Sequence, residues 1–374
     1  MNKKLLAVAV VGALASPAAF AQGTPTTLYG IFDMGYQNAS GADNRNKSFF
    51  QQGMRDPSRF GIKGSEDLEA GMYAMYGFEF NMVLDTGSPT DISRVAFVGL
   101  GSKQWGELTF GRQYTHLFHT FAVGSAHAYG TFSSAFSQTP VSTRASNAMK
   151  YSSPVFNGFS IGALWSPSDS GAGAGAASSE PFNATDKANY FDGAIRWTPG
   201  PFGVAAAYGK NKLEGAAGSS LENKITELSA NWDNKAFGIY GNYATQKSDA
   251  TAGGVSVTPN EWKTYSISGV ARFAGRHELY LMTSKVKNDK VTNMEATTYG
   301  ITYENVMSKR TRLYVGYGQT KNKDAAGFAP TAYAFATPGV MIPFGAGTSG
   351  SDSNSAIPNG KDPKAFQIGI SHSF

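Results

Sequence analysis

From residue 27 to its final residue, the chain returns again and again to a two-residue period. Met72, Ala74, Tyr76, Phe78, Phe80, Met82 and Leu84 share one parity, while Glu79 and Asn81 lie opposite. Leu28, Gly30, Phe32, Met34 and Tyr36 repeat the pattern, as do Phe159, Ile161, Ala163 and Trp165. So do Phe191, Gly193, Ile195 and Trp197, then Phe237, Ile239, Gly241 and Tyr243, then Leu313, Val315 and Tyr317. Alternate residues of a strand point to opposite faces, so these segments read as strands whose two faces meet different surroundings. A soluble barrel or sandwich rarely sustains such alternation for ten residues with aromatics near the strand ends. Strands crossing a bilayer need about 9 to 11 residues and carry aromatic girdles at both interfaces.

Connections between these segments alternate in length. Short ones fall at Asp67 to Ala70, Lys103 to Gly106, Ser153 to Asn157, Pro199 to Pro201, Asp233 to Lys235, Ala274 to Arg276 and Asn305 to Lys309. Long polar ones are expected near 38–57, 114–143, 167–186, 211–222, 247–260, 288–292 and 321–364. The segments number about sixteen, and tight turns on one side with long loops on the other are the arrangement of an outer-membrane barrel. The expected fold is all-β, a 16-stranded antiparallel transmembrane barrel. A closed sheet of this kind has no edge, and every backbone polar group within lipid is paired.

Composition narrows the function. The chain has 44 glycines among 374 residues and 13 % aromatics, which suits many turns but not a disordered linker. It has no cysteine, which excludes disulfide scaffolds, Cys-ligated metal and thiol nucleophiles. Lys3 and Lys4, the apolar run Leu5 to Leu14, and Ala19-Phe20-Ala21 read as a secretory signal over residues 1–21, leaving 22–374 as one barrel domain. Without the two leader lysines the formal charge falls from +5 to +3, so bulk attraction to nucleic acid loses its basis and no nucleic-acid partner is expected. Gly345-Ala-Gly347-Thr-Ser-Gly350 matches a dinucleotide fingerprint by letters only, since no strand–helix unit surrounds it. The carboxylates are scattered, with no dyad of glycosidase type, and neither enzymatic activity nor a cofactor is expected.

The last strand ends on Phe366, Ile368, Ile370, His372 and Phe374, all on one parity. Thr27-Leu-Tyr-Gly-Ile-Phe-Asp opens the mature chain, followed by Ser58-Arg-Phe-Gly-Ile-Lys-Gly-Ser-Glu-Asp-Leu and Ala96-Phe-Val-Gly-Leu. Phe110-Gly-Arg-Gln-Tyr and Lys150-Tyr-Ser-Ser-Pro come next. With these motifs in this order, the whole mature chain resembles the general diffusion porins of Gram-negative outer membranes, and among them the β-proteobacterial trimeric type. The resemblance implies a homotrimer of barrels in outer-membrane lipids and lipopolysaccharide. It also implies a third loop, about 114–143, folded into each pore, and a terminal Phe374 read as an assembly signal by the barrel-assembly machinery. Residues 38–57, Arg55 among them, are expected by the same resemblance to latch onto a neighbouring subunit.

A wide pore selects by its diameter and by the field at its narrowest point, so charged side chains on the lumenal parity carry the function. Alternation places Arg59 and Lys63 in the lumen opposite Phe60 and Ile62, Arg94 opposite Val95, and Arg144 and Lys150 opposite Met149 and Tyr151. Simple parity sets Arg112 outward with Leu108 and Phe110; the resemblance turns it inward, and a bulge would reconcile the two. The stretch from Leu108 to Ser168 holds no Asp or Glu, although it contains Arg112, Arg144 and Lys150. Glu79 is the counter-charge that parity favours, ahead of Glu66, Asp85 and Asp91. The expected function is a water-filled channel for small hydrophilic solutes and ions with a preference for anions. A saturable channel for phosphate or organic anions is the alternative, and a barrel-type surface adhesin a more distant one.

The third loop also carries Tyr114, Phe118, Phe121, Tyr129, Phe132 and Phe136, expected to pack the loop against the wall rather than to bind planar solutes. His116, His119 and His127 lack a carboxylate partner in sequence, so no metal site is expected. Protonated in acid, these histidines would strengthen anion preference.

Overall fold

The computed structural model describes residues 26–41, 47–87, 94–130, 132–135, 139, 142–167, 187–214, 218–252, 254–330 and 359–374. The expected leader, Asp91, Phe136 and the 345–350 glycine motif lie outside the described residues.

The barrel opens with β1 (Thr27–Ser40), β2 (Lys47–Gln52), β3 (Arg59–Asp67), β4 (Met72–Asn81), β5 (Val95–Ser102) and β6 (Gly106–Tyr114). Among the described residues one α-helix, α1 (His116–Val123), separates these from β7 (Arg144–Ser152), β8 (Phe159–Ser166), β9 (Lys187–Trp197) and β10 (Phe202–Glu214). The wall is completed by β11 (Ser220–Asp233), β12 (Phe237–Ala252), β13 (Val255–Phe273), β14 (His277–Asn288), β15 (Glu295–Val306), β16 (Thr311–Asn322) and β17 (Lys364–Ser373). Neighbours in sequence pair antiparallel around the ring, and β17 returns to β1, as Tyr36 opposite Ile368 illustrates.

Seventeen strand segments make a sixteen-stranded wall because β2 and β3 are two halves of one strand. The loop-side half of β1 pairs with β2 and its turn-side half with β3. Between the halves, residues 53–58 leave the wall. Asp33 draws them inward: its Oδ1 accepts from the backbone N–H of Met54 at 2.8 Å and of Arg55 at 3.3 Å, and from the Tyr314 hydroxyl at 2.9 Å. This corrects the expected subunit latch for Arg55, whose guanidinium points into the lumen and donates to Glu304 at 2.9 Å.

Burial alternates along most of the strands, β10 and β11 among them, with Leu228, Trp232, Ile239, Ile267 and Ile301 exposed on the outside. Each short connection is a tight turn; at Ala274-Gly275 both residues have positive φ, 50° and 72°. The loop side differs from expectation at two places. Residues 211–222 and 247–260 are mostly extensions of the β10–β11 and β12–β13 hairpins rather than loops. Above the membrane both strand faces meet water, so the apolar alternation stops while the backbone ladder continues. At the other end of the chain, Phe374 closes the seam: its N–H and C=O bond to Gly30 at 3.1 Å each, and its ring meets Phe32 edge-on at 5.2 Å.

Candidate functional site: the pore constriction

The loop from β6 to β7 crosses the lumen, and the wall holds it at several points. Its helix α1 begins with Thr115 as N-cap, the hydroxyl accepting from Phe118 N–H at 3.0 Å. Asp192 on β9 then accepts from the N–H groups of His116 at 2.9 Å and Leu117 at 3.3 Å. A carboxylate at a helix N-terminus satisfies two orphan donors and meets the positive end of the helix dipole. At the other end of α1, Asn231 of β11 donates to the carbonyl of Val123 at 2.7 Å. The apolar face formed by Leu117, Phe118 and Phe121 is buried on Ala207 and Ile225.

Beyond the helix the loop continues to the far wall. The Ala126 N–H donates to Ser268 on β13 at 3.0 Å, and His127 lies 3.6 Å from Asp56. Phe132 is fully buried with Ala39 and Ala365 against a floor of three glycines. A methyl group at Gly300 would fall 2.0 Å from the Phe132 carbonyl, and one at Gly318 would fall 2.4 Å from the ring. Only glycine leaves room for this ring.

The basic side chains gather where the loop leaves β6. Arg94 donates to Glu79 Oε1 at 2.5 Å and to the Tyr114 hydroxyl at 2.7 Å. Arg144 donates to the same hydroxyl at 3.0 Å, with its guanidinium 4.6 Å from the centre of the Tyr114 ring. Arg59 lies 3.9 Å from Glu79 Oε2 and 5.8 Å from the centre of the Tyr129 ring. Tyr29 donates to Glu79 Oε2 at 3.1 Å. Between the two guanidinium–ring contacts, Tyr114, Phe118 and Tyr129 form a stack with ring centres 5.1 and 5.2 Å apart. Lys150 donates to the Tyr114 carbonyl at 2.8 Å and to His119 Nε2 at 3.2 Å.

Arg112 illustrates how the wall escapes simple parity. The β6–β7 ladder shifts register between Gly111 and Gln113, and Asn147 opposite has φ 49°. The guanidinium of Arg112 donates to Ser146 at 2.6 Å, on the wall segment that bears Arg144. Glu79 is the counter-charge within the cluster, while Glu66 and Asp85 are exposed outside it. Lys63 is not in the cluster. Its ammonium lies over the Tyr29 ring at 5.3 Å, and four residues of strand set it about 13 Å from Arg59 toward the turn end.

The acid-strengthening expectation needs correction at His116 and His119. His116 is buried between wall and helix, its ring so close to Gly162 that a methyl there would fall 2.1 Å away, and Arg196 stands 3.1 Å from Nδ1. Burial, with Lys150 and Arg196 nearby, lowers its pKa to about 3, and the same causes hold His119 well below the usual imidazole range. Neither gains charge in mild acid. Two rings each facing a cation also make a poor metal site.

Alternation misses three contributors. Asp192 and Arg196 anchor the helix, and the Phe132 socket anchors the loop's far end; charged residues at lumenal parity on β9 were the available signal for the first two. Gly158-Phe-Ser160-Ile-Gly162 matches a hydrolase elbow by letters, but Ser160 lies inside β8 rather than at a strand-to-helix turn.

A family model described as Gram-negative porin matches residues 7–325. An outer membrane porin protein of Bordetella pertussis is 27 % identical, covering 86 % of this chain and 95 % of that one. Outer membrane porin protein 32 of Delftia acidovorans is 26 % identical over the full length of both. The anion-selective porin from Comamonas acidovorans has a similar structure, with TM-score 0.71 at 20 % identity over 94 % of this chain and all of that one. The trimer form of OmpT from Vibrio cholerae gives 0.64 at 16 % identity, again over 94 % of this chain and all of that one. A closed sixteen-stranded barrel with a loop folded across its lumen and a basic wall points to a channel, and the chain belongs to the Gram-negative porins of the outer membrane.

Proposed function

We propose that the protein is a passive, anion-preferring diffusion channel for small hydrophilic solutes and ions. The observation that carries the preference is the charge balance at the constriction. Arg59, Arg94, Arg112, Arg144, Lys150 and Arg196 gather there around Glu79, Asp56 and Asp192, and the crossing loop between Leu108 and Ser168 supplies no carboxylate. In a narrow aqueous passage with low-dielectric walls, such an imbalance raises the local concentration of anions. The anion-selective porin of similar fold supports the same reading.

The channel works as a homotrimer, in keeping with the trimer form of a structural relative. Phe374, at the barrel seam, serves as the signal to the barrel-assembly machinery, and the outer wall sits among outer-membrane lipids and lipopolysaccharide. The reversal potential across a KCl gradient tests the selectivity: anion preference drives it toward the chloride potential, and a potassium-directed reversal would refute it. Current that saturates with phosphate or an organic acid would favour a solute-specific channel instead.

A further inference from the structure

Residues 53–58 form a strut that enters the lumen from the wall, and the wall fixes it at several atoms. Besides the amides that the Asp33 carboxylate gathers, the Asp33 carbonyl accepts from the Gly53 N–H at 3.0 Å and from the Ser58 hydroxyl at 3.1 Å, and the Asp33 N–H donates to that hydroxyl at 3.0 Å. Met54 is fully buried beside Gly35, where an added methyl would fall 2.6 Å from its terminal carbon. Arg55 then joins the strut to a chain of alternating charges on the turn side of the lumen. It donates to Glu304 at 2.9 Å, and Arg312 donates to Glu304 at 3.1 Å and to Glu278 at 2.6 Å. Arg272 stands 3.9 Å from Glu278 and donates to both oxygens of Asp233 at 3.0 Å. The strut is thus braced by β1 on one side and by β11, β13, β14, β15 and β16 on the other.

Asp56 ends this chain of charges and faces the crossing loop. Its carboxylate takes the other arm of the Arg55 guanidinium, and its Oδ1 lies 3.6 Å from Nε2 of His127. Burial works against the charge, but His127 and Arg55 hold this carboxyl well below the usual carboxylate range, so it stays ionised in mild acid. On its other side, Nδ1 of His127 lies 3.4 Å from the Ser133 hydroxyl, and the ring centre is 6.0 Å from that of Tyr280 on β14. The charged and titratable groups on the elements packed there are Asp56 and Arg55 on the strut, Arg59 at the start of β3, Tyr280 on β14 and Glu304 on β15. Among the described residues Asp56 is the one in ion-pair reach of the imidazole. Two residues on, Tyr129 closes the aromatic stack against Arg59, so the place of His127 fixes where that ring sits.

We infer that Asp56 is a positioning residue of the constriction: it seats His127, which holds the middle of the crossing loop against the basic wall, and the seat tightens when His127 takes up a proton. A neutral imidazole 3.6 Å from a carboxylate makes a weak contact, whereas an imidazolium makes a charge-assisted one. Histidine is the side chain whose charge changes between pH 5 and 8. Because Asp33 and the chain of charges fix the strut, protonation draws the loop to the strut and not the strut to the loop. Acid therefore stills the loop as well as adding a positive charge. The seat goes beyond the diffusion-channel reading by naming what holds the loop between Ala126 and Phe132, and it rests on that reading only for its electrical readout.

The test records low-frequency current noise of the assembled channel in planar bilayers between about pH 7.5 and 5, the window in which an imidazole changes charge. Amide hydrogen exchange over residues 127–130, corrected for its intrinsic pH dependence, is followed on the same protein. Wild-type noise is expected to fall about fivefold toward the acid end, the scale of a single ion pair, with exchange slowing in step. Asp56→Asn keeps the shape and removes the charge, and should be as noisy in acid as at neutral pH; His127→Gln should behave alike. His127→Lys carries its charge throughout and should be quiet at both ends. A wild-type noise level that ignores pH, or an Asp56→Asn profile that matches wild type, overturns the seat. Stepwise conductance shows that each variant is folded. A wild-type chain that forms no channels would refute the channel reading instead, and exchange at 127–130 would still decide the seat.

Discussion

Replacing Phe132 by alanine releases the far end of the constriction loop without touching the charged wall. Phe132 is fully buried, and beyond His127 its ring is the main apolar anchor of the loop on the opposite wall. Burying a phenylalanine side chain contributes about 1.5–3 kcal/mol. Because the socket opens to a wet lumen rather than a dry core, the cost of truncation lies at that level and not at the 3–5 kcal/mol seen in protein interiors. At about 1.4 kcal/mol per tenfold, the ratio of released to docked loop rises about 10- to 150-fold. The loop would still be held as far as Ala126 by Asp192, Asn231 and Ser268, so the mean conductance changes little while its fluctuations grow.

Single-channel recording at fixed voltage and salt reads this directly, as a rise of about tenfold or more in low-frequency current noise. Gly318→Ala supplies an independent arm. Its added methyl would stand 2.4 Å from the Phe132 ring, so ring and methyl cannot both stay, and the same noise is expected with Phe132 intact. At Gly241 a methyl meets nothing closer than 3.8 Å, and Gly241→Ala should be as quiet as wild type. If Phe132→Ala or Gly318→Ala is also quiet, the socket does not hold the loop and the reasoning fails.

Arg144→Glu changes the wall by two charge units beside Tyr114; at about 6 Å in a water-filled pore each unit is worth about 0.7 kcal/mol, so the chloride-to-potassium permeability ratio should fall about tenfold or more, read from reversal potentials. Asp192→Asn leaves the amides of His116 and Leu117 without a charged acceptor, a loss of about 1.5–3 kcal/mol that should appear as faster amide hydrogen exchange at the start of α1. For pH the sign follows from His116. Its pKa is lowered to about 3 in the folded chain and returns to the ordinary value near 6.5 on unfolding, so the unfolded chain takes up a proton that the fold refuses. Stability is therefore present above about pH 6.5 and lost as pH falls toward 3, and His116→Gln should flatten the denaturation midpoint across that window. Selectivity, by contrast, should gain nothing from His116 or His119 between pH 7 and 5.

The wall was legible in the sequence because its two faces meet two solvents, and that contrast prints a period of two. Where the contrast disappears, so does the signal. Above the membrane, residues 247–260 are mostly polar or small and read as a loop, although β12 and β13 remain paired there. Residues 53–58 read as part of a long connection because nothing in their composition reveals that Asp33 gathers their amides into the lumen. Arg112 was ambiguous for a related reason: a register shift reverses parity locally, and strict alternation has no term for it. The Phe132 socket was invisible because glycine at lumenal positions is also what an open pore requires. Only the approach of a ring from a distant loop distinguishes a socket from empty space.

The acid-free loop gains its meaning from how the arginines are held. An arginine on a pore wall needs a partner to fix its long side chain, and a carboxylate would fix it while cancelling its charge. Here Arg94 has such a partner in Glu79, but Arg144 and Arg59 also rest against the faces of Tyr114 and Tyr129. A ring face attracts a guanidinium by about 0.5–2 kcal/mol and carries no net charge. Tyr114, Phe118 and Tyr129 are stacked, and the loop's anchors on β9, β11, β13 and the glycine socket hold that stack in place. The aromatic content of the loop and its lack of acids are thus one device: the rings position the cations, and because they do so without negative charge, the field at the constriction stays positive.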